Sequence, residues 1–179
     1  PDGVDTIAEY TFENCKNLTS ITIPDGVIYI GSYAFNGCSG LTSITIPDGV
    51  QEIKQSTFSY CTSLEEVTIP ASVTNIQGWA FDNCSNLQRV YCKPTTPPTL
   101  YNAMFDEAHA SLKIYVPVGS LDSYKKKQYW SGYADKIERY YTPTECTSLT
   151  IEADDVDGRM TTTSVRYTAI TNGVTFDGV

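Results

Sequence analysis

Cys15, Cys38, Cys61 and Cys84 stand 23 residues apart. Thiols so placed admit a metal site, disulfides, or no chemistry at all. A zinc site needs close pairs such as C-x-x-C, and neither these four nor Cys92 and Cys146 supply one. A disulfide between neighbouring repeats is conceivable in distance, but parallel Cβ vectors give poor torsion geometry. The favoured reading is a set of buried thiols acting as small hydrophobes. His109 is the only histidine, and no evident motif places a Ser or Cys nucleophile for it, so a surface or packing role is favoured. Glu65-Glu66 and Asp154-Asp155 are adjacent pairs, which point to opposite faces of a strand and cannot flank one bond. Asp154 to Gly158 has the middle of a calcium loop, but Ala153 stands at its first position and Ser164 at its twelfth, so a hairpin turn is favoured. No Gly-rich phosphate loop is present. The sequence thus predicts no catalytic set, no metal and no cofactor.

What positions the cysteines is a repeat. "TFENCKNLTSITIPDGV" from Thr11 is followed by "AFNGCSGLTSITIPDGV", "TFSYCTSLEEVTIPASV" and "AFDNCSNLQRVYCKPTT". Four units align without gaps, at 1–23, 24–46, 47–69 and 70–92. A period of this length marks a solenoid, whose single units cannot bury their own apolar face. Pro-Asp-Gly at 1, 24 and 47 is turn material, with Pro presetting φ and Gly accepting a positive φ. Leu18 to Ile23 alternates, placing Ile21 and Ile23 on one face and Ser20 and Thr22 on the other. One such strand per rung builds a parallel sheet with about 4.8 Å between neighbours. Val4, Ile7, Phe12, Cys15, Leu18, Ile21, Ile23 and their echoes are the predicted core, with Phe12, Phe35, Phe58 and Phe81 forming a ladder of rings.

Residues 93–116 form a degenerate fifth rung, with an extra residue, several prolines, Ala108 in the Cys place and Ser111 in the Leu place. Residues 117–141 change texture. Ser120 is placed to cap a helix running through Tyr129, and the aromatics from Tyr124 to Tyr141 suit a cap over the open end of the core. From 142 to 179, β-branched alternating segments separated by Asp-Gly and Asn-Gly turns predict the opening strands of an Ig-like β-sandwich, too short to complete one.

The pattern "LTSITIPDGVxxIxxxAFxxC" resembles the BspA-like leucine-rich repeats of bacterial surface proteins. "VPVGSLDSYKKKQYWSGYADKI" is similar to the cap that follows such repeats in proteins of gut anaerobes. The resemblance covers residues 1–141. It implies a right-handed leucine-rich-repeat solenoid, mainly β with short helical turns, exported to the cell surface to bind host or microbial partners.

Charge narrows the partner. With 12 basic against 21 acidic residues the formal net charge is −9, which argues against nucleic acid, since phosphate binding needs clustered Lys and Arg. Lys125-Lys126-Lys127 is read as a solvated helix face. No apolar run approaches membrane-spanning length. The opening on Pro1, without Met or an apolar leader, reads as a piece whose export signal lies outside it.

Two outward surfaces remain. The strand face presents Ser20, Thr22, Ser43, Thr45, Glu66, Thr68, Arg89 and Tyr91, with charge and aromaticity concentrated on the later strands. Glu66, Arg89, Tyr91 and Thr68 are the candidate protein-binding residues; Glu66 and Arg89 share a column and are also placed to pair with each other. The position two before each Phe holds Tyr10, Tyr33, Ser56 and Trp79. These rings either cover the edge of the core, the favoured reading, or meet sugar rings or a protein. The expected function is non-catalytic protein binding or adhesion, with a glycan-binding protein or a rigid spacer as the alternatives.

Overall fold

The computed structural model describes residues 3–140 except 103 and 106, and the backbone of 148–156, 159–171 and 174–178. The chain divides into two units, Pro1–Tyr140 and Tyr141–Val179. Unit one is a parallel β solenoid of about six turns.

Rungs two to five lay two strands each, and rung one lays one. One flank carries β1 (Thr6–Ile7), β2 (Tyr29–Ile30), β4 (Glu52–Ile53), β6 (Asn75–Ile76) and β8 (Thr99–Leu100). The other carries β3 (Ser43–Thr45), β5 (Glu66–Ile69), β7 (Arg89–Cys92), β9 (Lys113–Pro117) and β10 (Ile137–Tyr140), hydrogen-bonded in that order. Every pairing here is parallel, and β3, β5 and β7 pair at the 23-residue step, Glu66 opposite Ser43 and Arg89 opposite Glu66. From β7 to β9 the step is 24, Arg89 opposite Lys113. The extra residue lies between Cys92 and Leu100, because Ile76 already pairs with Leu100 at that longer step.

The predicted strand at Leu18–Ile23 does not form a ladder; rung one contributes Thr19 O, which accepts from Thr42 N–H at 3.3 Å. Its core side chains are also less covered than expected. Phe12, Leu18 and Ile21 are partly buried and Cys15 is exposed, whereas their echoes in the next three rungs are buried. Rung one packs against a neighbour on one side only.

Inside, the phenylalanines stack as a column. Centroids from Phe12 through Phe35, Phe58 and Phe81 to Phe105 are separated by 5.1, 5.5, 5.3 and 5.8 Å. Offset stacking suits the ring quadrupole and puts one large apolar group in every cross-section. In the fifth rung Leu112, one place after the expected Ser111, fills the leucine site and is buried.

The turns differ from expectation in one respect. Val27, Val50 and Val73 N–H each donate to the carbonyl of the Pro three residues earlier, at 3.0 to 3.1 Å. Gly3 takes φ 96°, but Gly26 and Gly49 do not take a positive φ, so the same turn closes with Ala71-Ser72 in rung four. Gly49 is required by close approach, since a Cβ there would sit 2.8 Å from Ile28 Cγ2.

Positive φ is found elsewhere, in two columns: Tyr10, Tyr33, Ser56 and Trp79, then Asn14, Gly37, Tyr60 and Asn83. The left-handed conformation costs a non-glycine residue about 1–2 kcal/mol. It recurs where N–H groups bond along the solenoid axis, as in Tyr10 to Ser32 O, Phe12 to Ala34 O and Asn14 to Asn36 O. A parallel ladder of such bonds satisfies the non-strand side of each rung.

The cap is shorter in helix and richer in strand than predicted. α1 spans Leu121–Lys126 and stops because Lys127 is extended and Tyr129 takes φ 65°. That reversal brings Trp130 and Tyr133 onto Phe105, with ring centroids 6.4 and 5.5 Å away and Tyr133 edge-on, ending the stack. Ser120 makes no side-chain helix cap; its Oγ donates to Thr95 O. Tyr124 OH donates to Pro94 O and Trp130 Nε1 to Pro98 O, both at 2.8 Å. The proline-rich insertion therefore supplies the carbonyls that the buried polar ends of the cap need. The chain then returns as β10, a further strand on the long face.

In the second unit β11 (Ser148–Val156), β12 (Arg159–Thr171) and β13 (Val174–Gly178) form one antiparallel sheet in that order. β11 and β12 pair from Val156 and Arg159 onward. Asp157, Gly158 and Cys146 lie outside the described residues. One three-stranded sheet is half of what a sandwich requires.

Candidate binding surfaces

Strand alternation turns Glu66, Thr68, Arg89 and Tyr91 outward while Val67, Ile69, Val90 and Cys92 are buried. Register then does what sequence spacing promised. Glu66 lies opposite Arg89 and Thr68 opposite Tyr91 on adjacent strands, so all four candidates fall in one patch. Arg89 Nε donates to Glu66 Oε2 at 2.9 Å, and this bond, ahead of the bare Coulomb attraction, pushes the guanidinium pKa further up. Both partners are exposed, so the pair is screened and contributes little to stability.

Three members of the patch were missed from sequence. Tyr115 stacks on Tyr91 with centroids 5.0 Å apart and planes 17° from parallel. Lys113 pairs with Glu138 of the cap strand, and that bond raises the lysine pKa. The available signal was the 24-residue step, which carries Arg89 onto Lys113 and Tyr91 onto Tyr115 once the extra residue before Leu100 is allowed for. The result is a half-exposed two-ring platform with an ion pair on either side.

The aromatic column is not one ladder. Tyr10 and Tyr33 stack at 5.1 Å and 7°, and Gln55 Nε2 donates to Tyr33 OH. Ser56 has no ring and is buried, which ends that stack. Trp79 stands apart with Tyr101, a residue the repeat pattern did not single out, since it sits four places before its Phe. Tyr10 and Trp79 are both 52% exposed.

The remaining chemistry is structural. Cys38, Cys61 and Cys84 Sγ donate to the carbonyls of Phe12, Phe35 and Phe58, one rung back, at 3.1, 3.3 and 3.2 Å. These three and Cys92 are free thiols. Burial pushes Cys38 up to about 11 and Cys84 up to about 12, and raises Cys61 and Cys92 further. A thiolate nucleophile is therefore suppressed at neutral pH. His109 Nδ1 meets Ser111 Oγ at 2.7 Å and accepts from Ser111 N–H, closing a local exposed turn. Among the described residues no cluster of metal ligands occurs and no helix is long and apolar enough to cross a membrane.

The BspA type leucine-rich repeat region matches residues 1–128 in six copies. The chain belongs to that family. Two solved bacterial structures are similar in fold. A leucine-rich repeat protein of Bacteroides ovatus is 32% identical with a TM-score of 0.53, over 64% of this chain and 28% of that one. A leucine rich cell surface protein of Faecalibacterium prausnitzii is 26% identical with a TM-score of 0.52, over 80% of this chain and 32% of that one. The chain thus spans about a third or less of these proteins. No curated protein sequence matches it. This leucine-rich repeat family is one of non-catalytic repeat proteins.

Proposed function

We propose that this chain is part of an exported binding module that engages a protein partner at a bacterial cell surface through its strand face. The observation that carries the reading is the Tyr91–Tyr115 stack, flanked by Glu66–Arg89 and Lys113–Glu138. Rigid aromatic platforms beside charge are the residue types that dominate binding energy in protein interfaces. Thr68 completes the patch on the side of rung three. A solenoid suits the task because its strands hold outward side chains at fixed spacing without a loop to order on binding. The segment 142–179 is proposed as the start of an Ig-like β-sandwich that extends the module. The cell-surface assignment takes support from the likeness to the leucine rich cell surface protein of Faecalibacterium prausnitzii.

The test is binding of the chain to a panel of purified extracellular-matrix proteins, with Arg89→Ala, Tyr91→Ala and Thr22→Ala as variants. The reading expects at least one saturable interaction that both strand-face variants weaken and Thr22→Ala leaves intact. A pure spacer would bind nothing on the panel, and equal binding by all three variants would move the contact off this face.

A further inference from the structure

Beside Trp79 lies an open groove of about 440 Å³, lined by Gln55, Gln77, Gly78, Trp79, Tyr101 and Asn102. Its size falls within the range of small-ligand sites and is far below a protein footprint. We propose that this groove is a binding site for a neutral saccharide, with a pyranose ring seated on Trp79 and Tyr101 beside it.

Three observations carry the assignment. First, Trp79 and Tyr101 are 52% and 60% exposed, and among the described residues neither ring stacks on another. Tyr10 stacks with Tyr33 and Tyr91 with Tyr115; Tyr60 and Tyr129 are also exposed and unstacked among the described residues, but neither lines this groove. The face of an aromatic ring attracts the polarised C–H groups on the apolar face of a sugar.

Second, the amides are oriented. Gln55 Nε2 is used by Tyr33 OH at 3.1 Å, and Gln77 Nε2 by Glu52 Oε1 at 2.6 Å, which leaves both glutamine carbonyl oxygens as acceptors. Asn102 Oδ1 accepts the backbone N–H of Trp79 at 3.4 Å, which leaves Nδ2 as a donor. Trp79 Nε1 and Tyr101 OH add further donors. Vicinal hydroxyls both donate and accept, so they match a lining that offers both. Third, among the described residues no charged side chain lines the groove, although the chain carries −9. A sulfated or uronic sugar would find no counterion there, and would meet the repulsion of the whole chain.

This site is separate from the strand face, so either reading can fail alone. The test uses the full chain and neutral tetrasaccharides built from glucose, galactose, mannose or N-acetylglucosamine. The chain has two tryptophans; Trp130 is fully buried, so a solvent-exposed emission reports Trp79. At least one tetrasaccharide should give a saturable change in that emission and a matching calorimetric signal. Trp79→Ala should abolish the heat, and Tyr101→Ala and Gln77→Ala should each weaken binding by about tenfold or more. Tyr91→Ala should leave sugar binding unchanged, and circular dichroism should show all four variants folded. The proposal is overturned if no neutral sugar saturates the signal, if binding survives Trp79→Ala, or if a tetramer of uronic acid binds better than every neutral one.

Discussion

Replacing Phe58 by Ala tests the interior of the solenoid at its most coupled point. The ring is fully buried, with Phe35 at 5.5 Å on one side and Phe81 at 5.3 Å on the other, both within 11° of parallel. Truncating a buried Phe costs about 3–5 kcal/mol in lost transfer energy and cavity. Each aromatic pair adds about 0.5–1.5 kcal/mol beyond area, and two pairs are lost, so the expected cost lies at the upper end of that range. The cavity cannot collapse easily, because the inter-rung bond from Phe58 N–H to Ala80 O, at 2.9 Å, fixes the spacing of the rungs. Phe12 is the internal comparison: it has one stacked neighbour and is only partly buried. Phe12→Ala should therefore cost roughly half as much or less. Urea denaturation followed by circular dichroism measures both, and unchanged slopes keep the comparison two-state. A Phe58→Ala loss below about 1 kcal/mol, or a Phe12→Ala loss as large as that of Phe58→Ala, would refute the column as a buried, additive stack.

Thiol labelling of the native chain should modify Cys15 rapidly and spare Cys38, Cys61, Cys84 and Cys92 until unfolding; fast labelling of Cys61 would contradict its burial. The same thiols predict alkaline sensitivity. Their folded pKa values are raised, so their contribution is complete below the ordinary thiol value of 9.0 and is lost as pH climbs toward about 11 for Cys38 and about 12 for Cys84. Urea midpoints should fall across that window, less steeply in Cys61→Ala, and an unchanged profile in that variant would assign the loss to other groups. Tyr124→Phe leaves Pro94 O without its buried donor and should cost about 1–3 kcal/mol by denaturation; a neutral result would mean water replaces the hydroxyl. A double-mutant cycle on Glu66 and Arg89 should give no measurable coupling in stability at physiological salt, since both groups are exposed, and a salt-insensitive coupling would show the pair to be structural.

Much of this molecule was legible in its sequence because a solenoid repeats one cross-section. A Phe, a Cys and a Leu at fixed places, followed by Ile-x-Ile, determined the rung, the ladder of rings and the inward thiols, since each rung must fill the same space as the last. The same periodicity placed Glu66 against Arg89 and Thr68 against Tyr91. Three things only the tertiary structure decided. The cap helix stops at Lys126, not at Tyr129, because burying Trp130 and Tyr133 on Phe105 outweighs one more helical turn. The aromatic flank splits into Tyr10–Tyr33 and Trp79–Tyr101, because a buried Ser56 leaves no ring between them. The left-handed column at Tyr10 and its echoes gives no compositional sign, because the energy that holds it comes from hydrogen bonds to the next rung. Local preference opposes that conformation at Tyr10, Tyr33, Ser56, Trp79 and Tyr60, whereas Asn14, Gly37 and Asn83 tolerate it, and contacts made 22 residues away override the preference.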